Sequence, residues 1–428
     1  MANTDLNMSR RCCSNCIISG DMFIKDSSST SSPGSSSYSE NFAVGDEVYA
    51  WLADNHWWRR ANVLAVRARE NSDITEYYVH FHNMNRRHDR WLNQEFVRSE
   101  PGDDDDASMR GDSASDYSDE SDHEGMTQQD IQEWERATKV KRIDKIMFGK
   151  FLVETWYWSP YPEEYQDCPV LHLCEFCLAF FKHKEELQMH LNPAAEYSCK
   201  IRHPPGDEIY MCPDGISVFE VDGFFERVYC ENLCYISKLF LDHKRFDRFD
   251  VSNFYFYCVG EWDSKGFHLV GYFSKEKQST NRNLSCIMLI PCYQRRGFGS
   301  FLIALSYELS KVTGKVGTPE RPLSDLGKRT YLRWWLQRIL RYLEDKTAAV
   351  SIQDITNATY ILQDDVKMTL EEYGLLKYLR GQFNIYLPPG KFEELYVKEL
   401  ATHVKCEAQY LHWTPLTLPD PVNANKND

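Results

Sequence analysis

"PCYQRRGFGSFLIALSYELS", residues 291–310, sets two arginines and two glycines at the head of an amphipathic run. Phe298, Phe301, Leu302, Leu305 and Leu309 recur at helical spacing. The preceding "LSCIMLI" (284–290) is a continuous apolar run between polar "TNRN" and Pro291, which predicts a buried strand. A strand, a glycine turn and a helix start bring several backbone N–H groups and the positive end of a helix dipole to one point. Such a point suits an anion.

Three anions use this device. A dinucleotide site wants a third glycine where Leu302 stands, and no βαβ unit with a following acid is apparent. A P-loop wants a closing Gly-Lys-Ser/Thr, which is absent. The pyrophosphate of coenzyme A fits Q-x-x-G-x-G, carried here by Gln294, Arg295, Arg296, Gly297, Phe298 and Gly299.

The chain of 428 residues is long enough for two to four domains. No run of about 18 apolar residues offers a membrane span, and no N-terminal run resembles a signal peptide. The 14 cysteines are therefore expected in a reducing compartment, where paired Cys reads as metal or catalysis first. Much of the net charge of −15 is local, because residues 100–124 hold eleven acids against Arg110 alone. A chromatin partner is not excluded by that charge, and overall acidity favours a basic protein substrate over free DNA.

Residues 1–41 form a Ser-rich tail expected to be disordered. "RCCSNC" (11–16) lacks a nearby second pair or His for a metal. Over 42–99 the runs "DEVYAWL", "WWRRANVLAVRAR", "TEYYVHFHNM" and "RWLNQEFV" predict a small β-barrel. Arg59, Arg60, Arg67, Arg69, Arg86, Arg87 and Arg90 are candidates for sequence-independent phosphate contacts with RNA or DNA. Residues 100–128 read as an acidic disordered linker, 129–420 as one globular region, and 421–428 as a tail. "DITNATYILQDDVKMTLEEYGLLKYLRGQFNIYL" reads as helix, turn, helix, hairpin, a winged-helix-like pattern. Asp364, Asp365, Glu371 and Glu372 crowd its recognition helix and argue against DNA reading there.

"LCEFCLAFFKHKEELQMHLNPAAEYSCK" holds Cys174 and Cys177, then His190 on a short helix, then Cys199. The spacing is that of a closed tetrahedral Zn2+ site, structural because all four ligands are protein groups. The gap from His190 to Cys199 exceeds the usual one, and Cys168 is the alternative fourth ligand. A zinc finger is expected over 168–205.

With these residues in view, the chain resembles the MYST family of histone lysine acetyltransferases. "LCEFCLAFFKHKEELQMHL", "NLCYISKLFLDHK", "HLVGYFSKEK", "YQRRGFGSFLIALSYELSK" and "VGTPERPLSDLGK" carry the likeness, in the family's order. "YYVHFHNMNRRHDRWL" resembles a chromo barrel, with Phe81, Met84 and His88 at the cage positions and Tyr78 and Trp91 expected to pack the core. The arrangement is most similar to the males-absent-on-the-first subgroup. The resemblance implies an α+β protein: a chromo barrel, then a mixed α/β acyl-CoA N-acyltransferase core with a zinc knuckle and the winged-helix-like region. It implies acetyl transfer from acetyl-CoA to a lysine ε-amine of histone tails, of histone H4 by subgroup analogy. Glu320 matches the general base and Cys286 the active-site cysteine. Ile287, Met288 and Leu289 fall on the strand beside the thioester, and Ser300 and Ser324 join the cofactor contacts. Lys244 matches the lysine that family members acetylate on themselves. A nuclear protein in a multisubunit chromatin complex, acting on nucleosomes and away from membranes, is the expected setting. Cys292 and Ser300 depart from the family pattern and mark a divergent member. The alternatives are a catalytically impaired chromatin-binding scaffold and an acetyltransferase for non-histone proteins.

Overall fold

The computed structural model describes residues 16–18, 41–52, 57–68, 74–100, 136–242, 250–344, 346, 350–379, 382–388, 390–396 and 404–415. They divide between two compact units.

In the first unit, β1 (Cys16–Ile18) comes from the Ser-rich tail and is followed by β2 (Glu47–Leu52), β3 (Trp57–Ala68), β4 (Thr75–Phe81), β5 (Arg90–Asn93) and β6 (Val97–Arg98). Strands β2–β6 form one antiparallel sheet in the order β5-β4-β3-β2-β6. Alternation decides which face turns inward. In β2, Val48, Ala50 and Leu52 are buried while Glu47, Tyr49 and Trp51 look outward. Ala61, Val63, Tyr77, Val79 and Phe81 complete the core, and each large apolar side chain buried there contributes about 1.5–3 kcal/mol.

A second sheet of this unit has the order β1-β8-β7-β9-β10, with β7 (Lys145–Phe148), β8 (Phe151–Glu154), β9 (Val170–Leu173) and β10 (Phe180–Phe181). Its β1 departs from the tail's expected disorder, because Cys-Ile-Ile is the apolar run there and pairs with Phe151 to Val153. The helix expected around His190 is α1 (Lys184–Leu191), and α2 (Arg227–Lys238) follows later in the chain.

The second unit is built on the antiparallel order β11-β12-β13-β14-β16. Its strands are β11 (Asp207–Met211), β12 (Ile216–Asp222), β13 (Phe254–Asp263), β14 (Gly266–Glu276) and, after the short β15 (Arg282–Leu284), β16 (Ile287–Leu289). The hairpin expected at Asp-Ser-Lys-Gly joins β13 to β14. The run 284–290 is not one strand. Ser274 of β14 takes Ser285 N–H on its carbonyl (2.7 Å) and donates its own N–H to Cys286 O (2.8 Å), which breaks the run between β15 and β16. Beyond the break, β15 pairs in parallel with β17 (Thr318–Pro319).

Helix α3 (Phe298–Thr313) buries Phe298, Phe301, Leu302, Leu305 and Leu309 and packs against α4 (Asp325–Leu343). Trp335 is fully buried on α4, and its Nε1–H donates to Tyr307 Oη at 2.8 Å. Helices α5 (Ile352–Thr359) and α6 (Gln363–Glu372) lead into the hairpin of β18 (Leu376–Leu379) and β19 (Gln382–Ile385), the winged-helix-like order; a further helix, α7, spans Lys391–Tyr396. Among the described residues no helix is long and apolar enough to cross a membrane.

One carboxyl of this sheet gives stability a pH dependence. Glu220 on β12 accepts from Trp413 Nε1 at 2.8 Å; burial pushes its carboxyl up, against the hydrogen bonds of Tyr257 and Trp413. A carboxyl with a raised folded pKa binds its proton more tightly in the native state. Its contribution is therefore complete below the unfolded value of about 4.3 and is lost as pH rises through the folded value. Glu220→Gln removes this step. Denaturant titrations of wild type and variant should show the stability difference shifting in the variant's favour as pH climbs through that window.

Candidate active site

Two loops meet the end of the β15/β17 pair. Thr318 lies opposite Arg282 and Pro319 opposite Leu284, and Glu320 N–H donates to Leu284 O at 2.8 Å. Glu320 thus sits alongside the segment that carries Cys286, two residues beyond Leu284. Its carboxylate is 42% exposed and stands 3.6 Å from Arg282 Nη1, so an arriving ammonium must compete with that guanidinium. Cys286 is half-buried, with its N–H donated to Ser274 Oγ at 3.2 Å.

The next strand, β16, ends its sheet. Cys286 O accepts from Ser274 N–H, and Ile290 N–H donates to Val270 O at 3.0 Å, so the main chain of 286, 288 and 290 faces β14. By the same alternation Ile287 and Leu289 turn their N–H groups to the open edge. Met288 turns its main chain to β14 and is 3% exposed. Gly271 fixes this register, since a Cβ there would lie 2.3 Å from Met288 O.

From β16 the chain turns sharply. Gln294 Nε2 donates to Leu289 O at 3.1 Å, Arg295 adopts φ 62°, and Gly297 adopts φ 101° at the N-cap of α3. No side chain caps this helix, which leaves its first N–H groups to the turn. A side chain at 297 would be strained. Gly299 is different: a Cβ would meet Thr330 and Leu289 at ordinary distances of 3.6 and 3.7 Å, so packing does not demand glycine there. Arg295 is exposed, and Arg296 is tied to Glu261 at 2.5 Å. Ser300 is half-buried in the first turn of α3. Ser324 caps α4, accepting from Gly327 N–H at 3.1 Å. Lys244 and Arg69 lie outside the described residues.

Cys174, Cys177, His190 and Cys199 bring their donor atoms within 4.8 Å of one another. Zn–S bonds of 2.3 Å in a tetrahedron set sulfurs about 3.8 Å apart, so a soft S3N donor set of this size fits Zn2+. The long gap before Cys199 does not keep it from the cluster.

Asp365, one of the acids that crowd α6, is 2% exposed and bound to Arg321 Nη2 at 2.5 Å. Of the barrel arginines, Arg67 lies 4.1 Å over the Trp91 ring and binds Glu76 (2.7 Å) and Asp144 (3.0 Å). Arg86 donates to Thr138 O and Lys139 O. Both are engaged within the chain. Tyr78 and Trp91 pack together at 5.3 Å with Tyr78 buried. Sequence reasoning missed Arg282, which carries no local signal, and the outward Trp51, Trp58 and Arg98.

A glycine turn at an uncapped helix start, continuous with an open strand edge and with a thiol and a carboxylate at the far end, suits an acyl-CoA-dependent transferase. Residues 203–411 match the MOZ/SAS family, 140–193 the MYST family zinc finger domain, and 42–99 the RNA binding activity-knot of a chromodomain. The "Putative MYST-like histone acetyltransferase 1" of Oryza sativa subsp. japonica is 43% identical over 354 residues, covering 79% of this chain and 77% of that one. "Histone acetyltransferase of the MYST family 2" of Arabidopsis thaliana is 44% identical over 361 residues, 79% and 78% of the two chains. "Histone acetyltransferase esa1" of Emericella nidulans is 44% identical over 283 residues, 65% and 54%. The chain belongs to the MYST family. It is an acetyl-CoA-dependent lysine acetyltransferase with a structural zinc finger.

Proposed function

We propose that the protein acetylates lysines of histone tails, the histone H4 tail among them, with Glu320 as general base. The observation that carries this reading is the β15/β17 register, which aligns Glu320 with the segment leading to Cys286 and to the open edge of β16. The diphosphate of acetyl-CoA binds at the turn 294–299 and the first N–H groups of α3, with Arg295 supplying charge. Ile287 and Leu289 N–H groups receive the thioester arm and its oxygen as negative charge develops. Glu320 takes a proton from the lysine ammonium. The neutral amine then attacks the thioester carbonyl, the C–S bond breaks, and the departing thiolate takes up the second proton that the nitrogen sheds as the amide forms. One base and two oriented reactants suffice, so Cys286 lines the pocket without forming an acetyl-enzyme. Resemblance to chromatin enzymes supports a nuclear location, a multisubunit complex and the males-absent-on-the-first-like subgroup. Labelled acetyl transfer to nucleosomes, compared with Glu320→Gln, tests the reading. The rival scaffold role fails if calorimetry shows acetyl-CoA binding together with turnover.

A second reading concerns the barrel. The register sets Tyr49 opposite both Arg60 and Arg98, and Trp51 opposite Trp58. Arg98 lies 4.0 Å over Trp58 and Arg60 donates to Tyr49 Oη at 3.1 Å on this outward face. Guanidinium and aromatic groups set side by side suit single-stranded RNA, which binds by stacking and charge. Trp58→Ala should weaken binding to an unstructured RNA by about 1–3 kcal/mol, and Arg60→Ala should lower the salt slope by about one. Unaltered affinity and slope in a fluorescence titration would remove this role.

A further inference from the structure

Glu320 rides on a loop held from two sides. The main chain holds one: Thr318 N–H donates to Asn281 O (3.0 Å), Glu320 N–H to Leu284 O (2.8 Å), and Gly317 N–H to Tyr360 O (2.8 Å). From the other side buried side chains reach the loop: Tyr307 Oη donates to Gly317 O at 3.4 Å, and Asp365 binds Arg321. Asp365, in the first turn of α6, accepts from Arg321 Nη2 at 2.5 Å, and Arg321 is the residue directly after Glu320. Thr318, two residues before Glu320, donates its hydroxyl to Pro319 O at 3.5 Å and is among the groups that favour the ionised form of this carboxylate. An acid in a first helical turn also meets the positive end of the helix dipole. Burial pushes the Asp365 carboxyl up, while Thr318 and Arg321 favour its ionised form.

We propose that Asp365 is a positioning residue: through Arg321 it grips the loop directly after Glu320 and fixes where that carboxylate meets the acceptor amine. The inference rests on the reading of Glu320 as the base. The clamp borders a cavity of about 450 Å3, lined also by Arg282, Pro319 and Met368, so a released loop has room to shift. A displacement of about 1 Å at the reacting groups costs about 100-fold in rate. The turn 294–299 shares none of the bonds named above, which makes acetyl-CoA binding the internal control.

The test uses the full chain as Arg321→Gln, Asp365→Asn, Glu320→Gln and the Glu320→Gln/Asp365→Asn double variant. Each clamp variant is expected to lose kcat by about 100-fold with KM for acetyl-CoA unchanged. Adding Asp365→Asn to Glu320→Gln is expected to cost nothing further, because both act on one proton transfer. Arg321→Gln, on a 44% exposed side chain, reads the same contact if Asp365→Asn does not fold. Wild-type kcat in the clamp variants, or a full multiplicative loss in the double variant, overturns the positioning role while the base stands. Full activity in Glu320→Gln overturns the base assignment and the clamp with it.

Discussion

Glu320→Gln is expected to lower acetyl transfer by about 100- to 10,000-fold while acetyl-CoA binding is retained. The size of the loss follows from the acceptor. A lysine ammonium has a pKa of about 10.4, so near pH 7.4 only about one amine in a thousand is neutral and able to attack. Gln keeps the length of the side chain and one acceptor oxygen but cannot take the proton. The variant should recover about tenfold for each pH unit as the solution itself deprotonates the acceptor, so the gap to wild type narrows toward pH 10. Arg282, 3.6 Å away, sets a condition on this transfer, because an arriving ammonium must displace the guanidinium before it reaches the carboxylate. Cys286→Ser, assayed alongside, should retain a substantial rate if the amine attacks directly. Equal rates for wild type and Glu320→Gln across the pH range would remove the carboxylate from the mechanism.

Several elements could be read from residue order, and the reasons are local. The outward and inward alternation of "EVYAWL", the helix "KEELQMHL", and the helix–turn–helix–hairpin of 352–385 are set by short-range periodicity and appear at the expected places. The turn at 294–299 announced itself through glycine, because Gly297 needs a positive φ that few other residues adopt. The roles suggested for Glu320 and Cys286 came from family resemblance; no spacing rule singles out one loop glutamate. What stayed hidden depends on distant partners. The break in 284–290 is imposed by Ser274 on another strand. Asp365 looks like one more surface acid until Arg321, 44 residues earlier in the chain, reaches it. Arg67 and Arg86 look available until Asp144 and the carbonyls of 138 and 139 take them. A charge is legible in sequence, and its partner is not.

Removing the metal should do the greatest damage to stability. Structural zinc in finger peptides contributes about 10–16 kcal/mol of apparent binding free energy, which is folding free energy where the apo site has no order of its own. A domain is stable by only about 5–15 kcal/mol, so losing most of that term leaves the finger unfolded at 37 °C. Its helix α1 supports this, since it is eight residues long with no buried residue. Cys174→Ser and Cys199→Ser should each lose the one equivalent of zinc measured by atomic absorption, and the far-UV signal of α1 should fall with it. Cys168→Ser is the discriminating control. Burial pushes the Cys168 thiol up, away from the thiolate that a metal requires, and the four clustered donors already complete a tetrahedron. It should therefore keep its zinc and its thermal midpoint. If Cys168→Ser released the metal while Cys199→Ser held it, the donor set would be Cys168, Cys174, Cys177 and His190, and the cluster at Cys199 would owe its closeness to packing alone.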